Sequence, residues 1–421
     1  MNRRFVPGEP APWFRARALS GSPSYSFDTV AGRWIVMLFL GEAGHAPSQA
    51  ALDLVQRERG LFDDERACFF GVTVDPADEE RGRIAQQLPG IRWFLDYDRA
   101  VSTAYGALSL DGEDTRYTPF WLILDPMLCV RAQVPLAGGA EVFAKLRQLV
   151  GARRSRPAPV LIVPDVLSPE MCRRLIDLYD RAGGTESGFM RDVDGVTRLL
   201  VDHKLKRRSD YTIDDEDLLI ALKHRMFHAL RPLIRRAFNF EATRIERWIV
   251  ACYEADGGGG YFRPHRDNTT KATEHRKFAV TINLDTSRYE GGDLCFPEFG
   301  DQIYRAPTGG AIVFSCSLLH EARPVTKGRR YAFLPFLYDD EGARVRERNL
   351  PFVEPELQSY RSGLDPEGQA AEWAPAGCKP APRPPPNRAC PKPRCAPRSS
   401  LSRLTSRTAR WCGAPGRCAG R

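Results

Sequence analysis

The sequence contains no run of about 18 apolar residues, so no segment is expected to span a membrane. The basic pair Arg3-Arg4 is followed by no apolar stretch, and a secretory leader is not expected. There is no CxxC pair. Of the eleven cysteines, five (Cys378, Cys390, Cys395, Cys412, Cys418) crowd the C-terminal end without zinc-site spacing. The other six are scattered, mostly in apolar runs such as Ala67-Cys68-Phe69-Phe70, as expected for buried free thiols in a reducing, cytoplasmic setting. The body of the chain also lacks any charge imbalance. The formal net charge is +8, but residues 365–421 hold 11 basic against 3 acidic residues, which leaves 50 of each sign in the other 364. The basic character belongs to the tail, so nucleic-acid binding is not expected.

A length of 421 residues suggests two or three domains, and an apolar fraction of 43% suffices for real cores. Residues 1–150 alternate strand and helix signals. Continuous apolar runs at 34–40, 68–74 and 120–125 have the length of strands covered on both faces. Helical spacing at 49–59, 78–87 and 140–149 completes an α/β domain around a central sheet. A basic, proline-bearing stretch at 151–159 reads as a linker. A second domain over 160–345 opens with a strand at 160–163. A helix follows, with Ser168 as N-cap, Pro169 in its first turn, and Cys172, Leu175, Ile176 and Tyr179 on its apolar face. A longer helix is expected over 215–237. Short strands at 245–253, 278–284, 293–296, 310–314 and 331–338 then indicate a β-sandwich or jelly roll with supporting helices. Residues 365–421, rich in Pro, Arg and Cys without apolar period, are expected to be disordered.

The chemistry concentrates in Cys252-Tyr253, four glycines (Gly257 to Gly260), and Pro264-His265-Arg266-Asp267. On a strand, His265 and Asp267 share a face, with Cα atoms about 6.5 Å apart. With His320 downstream they have the form of a facial triad of two histidines and one carboxylate, which leaves positions open on non-haem Fe(II). Arg330 follows ten residues after His320 on an apolar strand, where an unpaired guanidinium is costly to bury. Arg329, one residue short, falls on the opposite face. Thr281 and Asn283 share a face, as cofactor contacts or as core and supporting residues. His275 reads as a surface loop residue, and His203, His224 and His228 as solvated. The basic run at 204–211 reads as a solvated face or as a lining of the substrate entrance.

Two resemblances follow. Pro7-Gly8-Glu9-Pro10-Ala11-Pro12-Trp13-Phe14 and Thr118-Pro119-Phe120-Trp121 resemble peroxiredoxins of the AhpC/TSA redoxin type, which implies a thioredoxin-like fold for 1–150. The peroxidatic cysteine expected within 41–49 is missing; Ser48 stands near its place, and a serine hydroxyl cannot carry thiol-peroxide chemistry. A scaffolding or partner-docking role is left for that domain. The stretches Pro264-His265-Arg266-Asp267, Gly291-Gly292-Asp293-Leu294-Cys295-Phe296-Pro297, His320-Glu321-Ala322-Arg323-Pro324 and Arg330-Tyr331-Ala332 resemble the prolyl-hydroxylase-like branch of the Fe(II)/2-oxoglutarate-dependent dioxygenases.

This second resemblance implies a double-stranded β-helix in which His265, Asp267 and His320 hold iron. Arg330 takes the distal carboxylate of 2-oxoglutarate, and Tyr253 donates a hydrogen bond to it. The implied cofactors are Fe(II), 2-oxoglutarate and O2, with L-ascorbate dependence as a family property. The implied reaction hydroxylates a C–H bond and releases succinate and CO2. Phe296, Ile312, Phe314 and Phe333 would be the apolar walls. A peptidyl proline is the substrate that the resemblance implies. The residues alone leave a peptide, a protein, a free amino acid, a glycopeptide side chain or a small metabolite open, and the oligomeric state with them. The competing reading is a redoxin-type antioxidant or partner-binding protein with a vestigial oxygenase domain.

Overall fold

In a computed structural model of the chain, residues 4–111, 114–152, 155–360 and 371–372 are described. The apolar run that begins at Trp34 becomes the central strand of the N-terminal half, Trp34–Gly41, with every residue buried. It is flanked by Ala67–Thr73 in parallel and Phe120–Leu124 in antiparallel pairing. Ile91–Leu95 and Val130–Pro135 form the two edges of a five-stranded sheet. Strand alternation divides its side chains between two cores. Val36, Leu38 and Leu40 pack with Val55, Val142, Phe143 and Leu146 of the helices Ala46–Arg57 and Gly139–Gly151. Ile35, Met37 and Phe39 face Phe27, Phe70 and Phe94. Gly71 is required between the strands, because a Cβ there would lie 2.1 Å from Trp93 Cζ3. This topology is a thioredoxin-like fold. The helix expected over 78–87 is shorter, Pro76–Glu80, because Asp75 caps it and Gly82, at φ +61°, turns the chain away. Ser48 is buried in the first turns of Ala46–Arg57, with its Oγ donating to Leu40 O at 3.4 Å. Cys68 is a core residue, and burial pushes its thiol up to about 12, far from a reactive thiolate.

In the second half, Ser168 caps the helix Pro169–Ala182 by accepting from Met171 N at 3.2 Å. Its buried positions are Cys172, Leu175, Ile176 and Tyr179, the stripe read from the sequence. The helix expected over 215–237 is interrupted. Glu216–Arg225 passes into a wide π turn, Met226–Leu230, and then Arg231–Phe238. Pro232 has no N–H to donate backwards, which favours such a break. These helices cover one face of a large sheet through Leu222, Met226 and Ile234 against Val250, Val280, Ile282 and Phe333.

The large sheet contains Ser209–Thr212, Ile249–Glu254, Val325–Phe333 and Phe278–Asn283. A five-stranded sheet stands apart from it, in the order Lys206–Arg207, Tyr261–His265, His320–Ala322, Leu294–Cys295 and Ile303–Tyr304. The two sheets make the jelly roll. The strand expected over 245–253 is two strands, Arg244–Glu246 and Ile249–Glu254, because Arg247 at φ +64° breaks the pairing. A hairpin, Phe189–Val193 with Val196–Leu200, turns at Asp194-Gly195, both at positive φ. No helix among the described residues is long and apolar enough to cross a membrane. The disorder expected for 365–421 lies outside the described residues except at Ala371–Glu372, which pair as a short strand with Arg244 and Ile245.

Candidate metal centre and anion pocket

His265 ends its strand and lies directly across from His320 on the neighbouring strand. Asp267 follows two residues later, its N–H donating to Cys316 O at 2.9 Å. That register brings three donors together: His265 Nε2 is 3.6 Å from Asp267 Oδ1, and His320 Nε2 is 3.3 Å from Asp267 Oδ2. All three donor atoms lie within 4.8 Å of one another. The remaining ring nitrogens face backbone carbonyls, His265 Nδ1 to Arg263 O at 2.7 Å and His320 Nδ1 to Leu318 O at 3.0 Å. A carbonyl can only accept, so each Nδ1 carries the proton and each Nε2 turns a lone pair toward Asp267. Burial, with His320 beside it, pushes His265 down to about 4, which keeps that ring neutral. Burial opposes ionisation of Asp267, but the influence of His320 and His265 beside it outweighs burial and holds the carboxyl well below its usual range. The rings are held by aromatic neighbours. Phe262 stacks on His265 at 3.4 Å between centroids, and Phe314 meets His320 edge-on at 4.6 Å. Two imidazoles presenting Nε2 and one ionised carboxylate suit a divalent transition metal.

Arg330 faces this cluster from the large sheet. It is 3% exposed, pairs in register with Tyr253, and lies 5.0 Å from the Tyr253 ring centroid. Its Nε and Nη2 donate to Asn283 Oδ1 at 3.4 and 3.3 Å. Arg329 points outward to Glu254 at 3.2 Å, as alternation requires. Gly292 leaves room for the Arg330 stem, since a Cβ there would lie 3.0 Å from Arg330 Cδ. Thr281 lines the cavity, while Asn283 orients the guanidinium from behind.

The two clusters line one cavity. Of the four apolar walls expected, only Phe314 lines it; Phe262, Leu294, Leu334 and Phe336 are among its other apolar walls. Phe296 stands 6.3 Å from the His320 ring, Ile312 is buried in a small neighbouring core, and Phe333 faces the helices.

The basic run at 204–211 is not a solvated face. Lys206, Arg208 and Asp210 are buried, at 4%, 8% and 6% exposure. Arg208 pairs with Asp210 through Nε and Nη2, both at 2.7 Å, and its Nη1 donates to the Tyr253 hydroxyl at 3.3 Å. Arg247 joins Asp210 at 3.0 Å, and both arginines line the cavity. Burial disfavours the Asp210 anion, yet Arg208 and Arg247 outweigh it and hold the carboxyl far below the usual range. Burial lowers Lys206 well below the usual lysine range. The signal was present in the sequence: charged residues at 206, 208 and 210 recur with the period of a strand. His275 corrects another expectation. It is fully buried, with Nε2 2.9 Å from Glu246 Oε2, in a network that Arg276 joins at 2.6 Å. His203, His224 and His228 are exposed, as expected.

Residues 248–338 match the family model of the 2OG-Fe(II) oxygenase superfamily. The PKHD-type hydroxylase of Xanthomonas axonopodis pv. citri is 27% identical over 186 residues, covering 41% of this chain and 75% of that protein. A PKHD-type hydroxylase of Burkholderia thailandensis is 25% identical over 220 residues, covering 49% and 91%. Among solved structures, a prolyl hydroxylase from Trichoplax adhaerens, in complex with a peptide of hypoxia inducible factor, has 18% identity and a TM-score of 0.33, covering 44% and 86%. The bacterioferritin comigratory protein of Xanthomonas campestris has 20% identity and a TM-score of 0.29, covering 32% and 92%.

Proposed function

We propose that this chain, whose residues 248–338 carry a 2OG-Fe(II) oxygenase domain, hydroxylates a C–H bond of its substrate and converts 2-oxoglutarate to succinate and CO2. The observation that carries the reading is the meeting of His265, Asp267 and His320 opposite a buried Arg330 in one cavity. The three donors would hold Fe(II), and the bound metal supplies open positions where the keto acid and O2 react. The protein's own residues do the rest. Arg330 grips the distal carboxylate with its planar fork, held in place by Asn283. Tyr253, whose ring lies 5.0 Å from that guanidinium and whose hydroxyl accepts from Arg208, would donate its own proton to the same carboxylate. Phe262 and Phe314 fix the imidazole planes, and with Leu294 and Phe336 they exclude water from the reacting face. A prolyl residue of a peptide or protein is the substrate in this reading, supported by the motif resemblance and by relatives that are themselves hydroxylases.

The test is anaerobic titration of Fe(II) and 2-oxoglutarate, followed by oxygenation and assay of succinate. Turnover is expected in the natural protein and lost in His265→Ala and His320→Ala. Mass spectrometry of candidate peptides should find a gain of one oxygen. Absence of 2-oxoglutarate consumption with and without peptide, despite iron binding, would sink the reading.

A further inference from the structure

Arg266 lies between the two proposed ligands of the first segment, and strand alternation turns it out of the cavity. Its side chain is only 1% exposed, because it ends against the N-terminal domain. Nε donates to Asp28 Oδ2 at 3.1 Å and Nη2 to Asp28 O at 3.4 Å. The guanidinium lies 4.4 Å from the Trp13 ring centroid. The same guanidinium donates to both oxygens of Glu298, at 2.8 and 3.3 Å, and to Ser317 O. Glu298 Oε2 also accepts from Leu319 N at 2.9 Å. Leu319 immediately precedes His320, and its fully buried side chain belongs to the N-terminal core with Phe27, Phe39 and Phe70. Asp28 is itself fixed, since Ser26 Oγ donates to its Oδ1 at 2.5 Å. Each ligand segment is therefore tied from behind, at a residue adjacent to a ligand, and both ties run into the N-terminal domain.

We propose that the N-terminal domain is a structural part of the metal centre. Asp28, Trp13 and Glu298 act as positioning residues: they hold Arg266 and Leu319 and so set the separation of His265, Asp267 and His320. The inference rests on the reading that those three residues hold a metal. It gives a redoxin-like domain that lacks its nucleophile a role requiring no thiol. Metal donors must be held within about 0.5 Å of their working geometry, which long side chains achieve only when their backbone is fixed. Loss of the Asp28 charge leaves the buried guanidinium with one carboxylate instead of two, free to pull its segment toward Glu298.

The experiment titrates Co(II), as a spectroscopic substitute for Fe(II), into the full-length protein and reads the dissociation constant and the d–d absorption bands. Removing a partner that orients a metal ligand weakens metal binding about 10–100-fold, which is the expectation for Asp28→Asn, with shifted bands. Trp13→Leu, at a half-exposed position that does not endanger folding, is expected to weaken binding about 2–5-fold with a band shift in the same direction. Thermal melting without metal reports whether each variant is folded, and Trp13→Leu decides if Asp28→Asn is not. Wild-type affinity and an unchanged spectrum in the folded variants would overturn the proposal while leaving the metal site standing. Cobalt binding that His320→Ala does not affect, or no binding by the natural protein, would remove the metal reading and the proposal together.

Discussion

Replacing Arg330 should have opposite effects on the empty and the loaded protein. The guanidinium is 3% exposed, and its described hydrogen bonds are two long ones to the Asn283 amide. No acidic side chain pairs with it among the described residues. Exchanging a buried charge for an apolar side chain of similar length is often neutral or stabilising. Arg330→Met is therefore expected to melt at the same or a higher temperature than the natural protein when no keto acid is present. Charge-assisted hydrogen bonds contribute about 1.5–3 kcal/mol each. A loss of about 2 kcal/mol raises the dissociation constant of 2-oxoglutarate about 30-fold. At a concentration 100 times the natural Kd, the ligand stabilises the natural protein by about 2.7 kcal/mol, but the variant by only about 0.9 kcal/mol. Thermal shift with Mn(II) in place of iron, with and without 2-oxoglutarate, measures both. The reasoning is refuted if the variant retains the full ligand-induced shift, or if it is strongly destabilised before ligand is added.

Three further outcomes follow from the same geometry. Arg329→Ala should change stability by less than about 0.5 kcal/mol and leave the KM for 2-oxoglutarate unchanged, because its partner Glu254 is a surface one; steady-state kinetics with varied 2-oxoglutarate checks this. Gly292→Ala should raise that KM and destabilise the fold by at least about 1 kcal/mol, since Gly292 sits at φ +69° and a Cβ would come 2.8 Å from Val325 Cγ2; kinetics and urea unfolding read the two effects. Asp210 has a folded-state carboxyl pKa far below its unfolded value of about 3.9, so its contribution is fully present at pH 7 and disappears as pH falls below about 4. Asp210→Asn should therefore lose stability at pH 7 and lessen the acid sensitivity seen in urea midpoints between about pH 5 and 2.

Local periodicity already carried much of the site. The two-residue step from His265 to Asp267, the opposite faces of Arg330 and Arg329, and the cap at Ser168 depend on near-neighbour backbone geometry; in the structure the two donors meet, Arg330 lines the cavity, Arg329 faces outward and Ser168 caps its helix. The missing thiol at 41–49 was equally a matter of reading residues, and Ser48 is buried where reactivity would need exposure. What only tertiary structure decided was which distant groups meet. His275 reads as a surface residue until Glu246 and Arg276 enclose it. The charges at 206, 208 and 210 read as solvated until Arg247 and the strand Tyr261–His265 close over them. Phe336 rather than Phe333 faces the cavity, and here alternation alone separates them, since Phe336 is an even step from Arg330 and Leu334 and Phe333 is not. Arg266 was silent beside its two neighbours, because its partners Asp28 and Glu298 lie 238 and 32 residues away. Spacing along a strand is set by bonds the sequence lists in order, whereas a buried charge finds its counter-ion only through the register of strands far apart in the chain.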